Sequence, residues 1–223
     1  MKRIKRWAAA LLVAALSLCF ASGVYAVKFA DVKKGAWYYD AVNWAVQYNI
    51  TNGTSSTKFS PSATCTRAQF LTMLWRDSGS PEPNGTKTTF SDVKSGAYYA
   101  KAVAWAVQNG ICNGSTVNGR SVFNPDANVT RAEAVTFLWR ALGSRIDMET
   151  VHPFTDVPKG AYYHTAALWM RDFGIVDGTS EGVFSPNKTC TRAEAVTFLY
   201  RIAQHDLAGK GTSKGDIPFR GTK

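Results

Sequence analysis

The sequence predicts an all-α fold, three helix–loop–helix units packed as a pseudo-threefold helical bundle. Three observations predict it. A set of landmarks recurs three times in the same order and nearly the same spacing. Each copy holds two stretches whose apolar residues recur at helical spacing. A unit of about 60 residues with two short helices buries too little core to stand alone, so the copies must pack on one another.

Composition agrees with a globular chain. The 223 residues include 26 Lys+Arg, 16 Asp+Glu, 45% hydrophobic and 13% aromatic residues, with 18 Gly and 8 Pro. That mix excludes disordered and collagen-like classes. Lys2, Arg3, Lys5 and Arg6 precede an apolar stretch from Trp7 to Phe20, which leads to Val24-Tyr25-Ala26. This pattern reads as a signal peptide over residues 1–26, cleaved after Ala26. Its apolar core is shorter than the roughly 20 residues that a spanning helix needs. The chain is therefore expected to be exported, to the cell wall or cell surface. Cys65, Cys112 and Cys190 remain after residue 26, an odd number that argues against a disulfide framework. Cys65 and Cys190 stand where the middle unit has Val129, which suits small buried apolar residues.

Each unit opens with Phe-x-Asp-Val: Phe29 to Val32, Phe90 to Val93 and Phe154 to Val157. A Gly-Ala-aromatic step follows, with Trp37, Tyr98 and Tyr162 after Gly35, Gly96 and Gly160. The first helix comes next, from about Tyr38 to Tyr48 in the first unit, and an Asn-Ile or Gly-Ile step ends it. Trp44, Trp105 and Trp169 lie within this pattern and are expected in the core. Gly53, Gly114 and Gly178 open a loop, and Phe59, Phe123 and Phe184 close it after 6, 9 and 6 residues. A surface loop absorbs such a change in length. The second helix starts at Thr66, Thr130 or Thr191, where Thr-x-x-Glu/Gln before an apolar run forms a capping box. Its apolar face carries Phe70, Leu71 and Leu74 in the first unit.

Composition divides the chain into residues 27–80, 88–145 and 152–203, with linkers at Asp77–Thr89 and Gly143–Pro153. Residues 204–223 are expected to form a flexible C-terminal tail.

Capping accounts for Thr66/Gln69, Thr130/Glu133 and Thr191/Glu194, but not for the arginine between them. Arg67, Arg131 and Arg192 stand at the first helical position, where the macrodipole disfavours a cation. There, free backbone N–H groups and a guanidinium fork can converge on one carboxylate or phosphate. The competing reading pairs each arginine with a carboxylate such as Asp31, Asp92 or Asp156 to lock the fold. Those aspartates also suit turn or capping roles. Trp37, Tyr98 and Tyr162 could stack on a sugar face, or pack in the core.

Phe-x-Asp-Val, Gly-Ile-x-x-Gly and Thr-Arg-Ala-Glu, in this order and three times over, resemble the S-layer homology (SLH) family across residues 29–202. The resemblance implies a helical pseudo-trimer with grooves between repeats. It also implies noncovalent anchoring of exported proteins to anionic secondary cell-wall polysaccharide, commonly bearing ketal-linked pyruvate. Carried over by position, the ligand-binding residues are Arg67, Arg131, Arg192, Asp31, Asp92, Asp156, Trp37, Tyr98, Tyr162, Gly53, Gly114 and Gly178. The first unit departs from the motif at Gln69, where the others have Glu, and at Asn49, where they have Gly110 and Gly174.

The formal charge is +10, or +6 without the four basic residues at the start. That suits an anionic polymer; export and the lack of a basic run argue against nucleic acid. His152, His164 and His205 occupy non-equivalent positions without metal-ligand spacing. No nucleophile-elbow, zincin or phosphate-loop motif is present. The chain is therefore read as non-enzymatic and without cofactor or metal; the enzymatic reading would take Glu133 or Glu194 as an acid. The principal alternative is an envelope protein–protein interaction module that binds no carbohydrate.

Overall fold

The computed structural model describes residues 29–144 and 153–207. The expected signal peptide, most of the second linker and the tail from residue 208 lie outside them. The described residues form six helices: α1 Tyr39–Gln47, α2 Arg67–Asp77, α3 Ala100–Gln108, α4 Arg131–Ala141, α5 His164–Asp172 and α6 Arg192–Leu207. α6 thus continues four residues past the boundary placed at residue 203.

The first helices end alike. Asn49, Gly110 and Gly174 take the left-handed conformation at φ 58°, 66° and 66°. The next N–H, from Ile50, Ile111 or Ile175, then donates back to Ala45, Ala106 or Met170 at 2.8 Å in each case. This is the Schellman arrangement, and asparagine tolerates it well enough to replace glycine in the first unit. The second helices begin with the expected capping boxes at Thr66, Thr130 and Thr191.

One element was not expected in an all-α chain. The longer loop of the second unit folds into an antiparallel hairpin, β1 Ser115–Val117 with β2 Arg120–Val122. Asn118 and Gly119 form its turn, both with positive φ. Asn-Gly is the strongest short-range signal for such a two-residue turn, and three extra residues give it room to close. The fold is mostly helical with this one small sheet.

α1 packs on α6, α3 on α2 and α5 on α4. The first helix of each unit therefore lies on the second helix of the preceding unit, the first unit following the third. α2 also touches α4 and α6. Just before the second helices, the backbones exchange hydrogen bonds in a closed ring. Cys65 donates to Cys190, Cys190 to Val129 and Val129 to Cys65, each at 2.9 Å. All three side chains are buried, as expected of small apolar residues. Burial pushes the Cys65 and Cys112 thiols up to about 12, and Cys190 higher still, which keeps them protonated and unreactive at neutral pH.

Phe59, Phe123 and Phe184 are fully buried and lie beside the opening phenylalanine of their own unit, at 6.0, 5.8 and 5.4 Å between ring centroids. Trp44 and Trp169 are core residues, whereas Trp105 is half-buried against the core. The first linker is held down by Trp75, whose indole N–H donates to Pro81 O at 2.9 Å. Asn84 and Gln108 also exchange hydrogen bonds across it. Among the described residues no helix is long and apolar enough to cross a membrane.

Candidate functional site

Arg67, Arg131 and Arg192 start α2, α4 and α6, yet they are only 8%, 4% and 3% exposed. Each reaches into the next unit. Their Nε groups donate to the carbonyls of Phe123, Phe184 and Phe59, all at 2.9 Å. Each guanidinium also lies over the ring of that phenylalanine, 4.8 Å from its centroid, a cation–π contact strengthened by burial.

Asp31, Asp92 and Asp156 do not pair with these arginines, because both carboxylate oxygens are already engaged. Asp31 accepts from the backbone N–H groups of Phe59 and Ser60 at 2.9 and 2.8 Å. Asp92 does the same for Phe123 and Asn124, and Asp156 for Phe184 and Ser185. The acid braces the loop whose carbonyl and ring receive the arginine. Burial acts to raise the Asp31 pKa, but the Phe59 and Ser60 N–H groups outweigh it, so the carboxyl lies below its ordinary value.

The arginine's acidic partner is instead the capping-box residue of the next unit. Glu133 gives Oε2 to the Thr130 N–H at 2.9 Å and Oε1 to Arg67 at 2.5 Å. Glu194 likewise caps with Oε2 at 2.7 Å and faces Arg131 with Oε1 at 3.7 Å. Capping therefore does not exhaust these glutamates, since the second oxygen points across the seam. Where α6 meets α2, Gln69 has a single carbonyl oxygen for both tasks, 3.3 Å from the Thr66 N–H and 3.5 Å from Arg192 Nη1. Arg192 Nη2 is buried without a hydrogen-bond partner. In the sister position, Arg131 Nη2 donates to Asp177 O at 2.6 Å. Burial lowers the Arg192 pKa, against the opposing influence of Cys65, Tyr98 and Asp31.

Two cavities open on these seams. One of about 490 Å³ is lined by Arg67 from the first unit, Gly114, Glu133 and Arg140 from the second, and Tyr162 from the third. The other, about 430 Å³, has Arg192 from the third unit, Gly53, Gln69 and Arg76 from the first, and Tyr98 from the second. Each is thus built from all three units in the same cyclic order. Gly53 and Gly114 are required by close approach: a Cβ would strike the carbonyl of Lys58 or Val122 and the ring of Phe29 or Phe90. Gly178 is similarly confined by Ser180 O and Val183 O.

Tyr98 and Tyr162 are 63% and 62% exposed, and Trp37 is 64% exposed. Each rests edge-on against the tyrosine that follows it. Partial burial pushes the Tyr98 and Tyr162 hydroxyls up, moderated by hydrogen bonds to Thr66 and Thr130. These three rings therefore lie outside the core. Asp31 and Asp92 are absent from the linings of the two cavities.

Two sets of lining residues were missed from sequence. Arg76 and Arg140 line the cavities near the ends of α2 and α4 and donate to the carbonyls of Ile50 and Ile111, and Arg201 within α6 donates likewise to that of Ile175. Thr72 and Thr136 line the cavities while bonding back to Ala68 O and Ala132 O. Recurrence nine residues after the motif arginine was the available signal for the former.

The S-layer homology domain family model matches residues 28–71, 89–135 and 153–196. Among relatives, an endoglucanase of Bacillus sp. strain KSM-635 is 31% identical over 190 residues, 81% of this chain and 20% of the relative. The surface-layer 125 kDa protein of Lysinibacillus sphaericus is 37% identical over 169 residues, 73% of this chain and 13% of that protein. An S-layer protein of Bacillus thuringiensis subsp. finitimus is 28% identical over 173 residues, 77% of this chain and 21% of the relative. The chain spans a fifth or less of the endoglucanase and the surface-layer protein, and about a fifth of the third relative. Three matched repeats, with their capping boxes and seam arginines in register, show that the chain belongs to the S-layer homology domain family.

Proposed function

We propose that the chain holds anionic, pyruvate-bearing cell-wall polysaccharide in the cavities between its repeats. It is a cell-wall anchoring module, located at the cell wall or cell surface. The observation that carries the polysaccharide reading is the shared build of the two cavities, each lined by a nearly buried arginine, polar loop residues and an exposed tyrosine. A carboxylate suits the guanidinium and helix N-terminus, and a sugar ring suits the tyrosine face. The cyclic exchange of helices, backbone hydrogen bonds and arginines supports a pseudo-threefold bundle. In that arrangement Trp37 serves the third seam, with Arg131, Glu194 and Gly178. The aspartates act through the loops they brace.

The enzymes among the relatives match through a small share of their length, which supports a role in attachment and not in catalysis. Several weak sites along one repeating polymer gain strength by multivalency. The test is binding of residues 27–223 to purified wall polysaccharide before and after mild acid removal of the pyruvate ketals. The expected result is binding that falls with ketal removal. Binding to walls stripped of carbohydrate would instead identify an envelope protein as the partner.

A further inference from the structure

The chain joins its units in order, the first to the second through residues 77–89 and the second to the third through residues 143–153. The third and first units are separated in sequence by the second, so no linker ties them together. Their seam rests on noncovalent contacts such as α1 on α6 and Arg192 on Phe59 O. It also lacks an ion pair like that of Arg67 with Glu133, since Arg192 meets the neutral Gln69.

The closed ring of backbone hydrogen bonds places a cysteine in each of these two units. Cys65 N–H donates to Cys190 O at 2.9 Å, and Thr64 faces Thr191 in an antiparallel bridge. That register sets Cys65 directly opposite Cys190. Residues so paired project from the same face, with Cα atoms about 4.5–5.5 Å apart. Disulfides span about 4.4–6.8 Å between Cα atoms. Both residues are fully buried thiols. Burial above all, with Glu194 and the nearby Cys65, pushes the Cys190 thiol up against the influence of Arg131. The third member of the ring is Val129, and Cys112 stands outside it, its N–H on Ala106 O.

We propose that Cys65 and Cys190 join in a disulfide outside the cell, a covalent closure of the seam that chain connectivity leaves open. The cell surface is a compartment where such bonds form and persist. The step is thiol–disulfide exchange, with a small or protein disulfide as oxidant. One cysteine thiolate attacks a sulfur of the oxidant, forming a mixed disulfide and releasing one thiol. The second thiolate attacks the protein-bound sulfur, forming the Cys65–Cys190 bond and releasing the other. Two protein thiols are oxidised, one disulfide is reduced to two thiols, and the protons given up by the cysteines end on the released thiols. Burial keeps both cysteines protonated in the closed fold, so exchange runs before the third unit docks on the first. Once formed, the bond closes most of the chain into one loop, which constrains the unfolded state strongly.

The test takes residues 27–223, fully reduced, and refolds them with a glutathione redox pair or, in parallel, in excess reductant. Free thiols are then alkylated in denaturant and located by peptide mapping without reduction. The glutathione sample is expected to carry one alkylated cysteine, Cys112, and one linked peptide pair holding Cys65 and Cys190. Its melting temperature is expected to lie at least about 5 °C above that of the reduced sample. Cys65→Val, which places in the first unit the residue that Val129 supplies in the second, is expected to fold and to melt alike in both buffers. Three alkylated cysteines, a persistent glutathione adduct or a bond through Cys112 overturns the proposal. A wild-type chain that melts alike in both buffers also overturns it, as does a Cys65→Val chain that shows the wild-type rise.

Discussion

At the seam between α2 and α4, an arginine meets a carboxylate that divides its two oxygens between a helix cap and an ion pair. At the seam between α6 and α2, the same arginine meets an amide with one oxygen for both duties. The backbone bonds, the phenylalanine beneath the guanidinium and the bracing aspartate are otherwise alike. The difference shows that one substitution can remove the charge complement of a buried guanidinium while leaving its hydrogen bonds to Phe59 O and Gln69 Oε1. Burial decides the consequence, because an exposed arginine would simply take water.

The largest expected contrast is between Arg67→Ala and Arg192→Ala. Removing Arg67 breaks a largely buried ion pair as well as the bond to Phe123 O, and should cost about 3 kcal/mol, reduced from the fully buried case because Glu133 retains access to water. Removing Arg192 loses the bond to Phe59 O and the long contact to Gln69 Oε1 but also a buried charge with no carboxylate partner, so about 1 kcal/mol is expected. Urea midpoints at constant m-value measure the gap. Equal losses would mean that the glutamate contributes little.

A reciprocal exchange comes next in size. Gln69→Glu should raise stability by about 1 kcal/mol by supplying Arg192 with an acid, and Glu133→Gln should lower it by a similar amount. Thermal unfolding of the two single variants and the double variant gives the coupling. A stabilised Glu133→Gln chain would show that desolvating the glutamate outweighs its ion pair.

Thr130→Ala should cost about 1 kcal/mol through the lost cap. Thr66→Ala should cost no more, since its reciprocal Gln69 contact is longer at 3.3 Å. A larger loss at Thr66 would reverse the order of the two boxes.

The smallest effect concerns pH. Asp31 has a lowered pKa in the folded chain, so its contribution is present above the ordinary carboxylate range of about 4 and is lost as pH falls through the lower folded value. Asp31→Asn should flatten the acid limb of a stability–pH curve. An unchanged limb would remove Asp31 as a source of that sensitivity.

The repeats, the capping threonines, the left-handed helix ends and the glycine positions were legible because each depends on a few neighbouring residues. Thr130 and Glu133 cap one helix by themselves, and Asn49 or Gly110 ends another through its own φ. The Asn118-Gly119 hairpin is equally local, since its turn depends on two adjacent residues that accept positive φ.

What tertiary structure decided was every partner across a seam. Arg67 and Glu133 are 66 residues apart, and Arg192 and Gln69 are 123 apart; no spacing within one unit announces either pair. Sequence placed the arginine near an anion site and offered the opening aspartate as its alternative partner. Packing instead gave that aspartate to the loop backbone and brought in the capping residue of the next unit. A cap is a short-range hydrogen bond that residue type and order determine. The charge left over at a seam depends on which distant side chains burial excludes from water together, and only the assembled fold determines that.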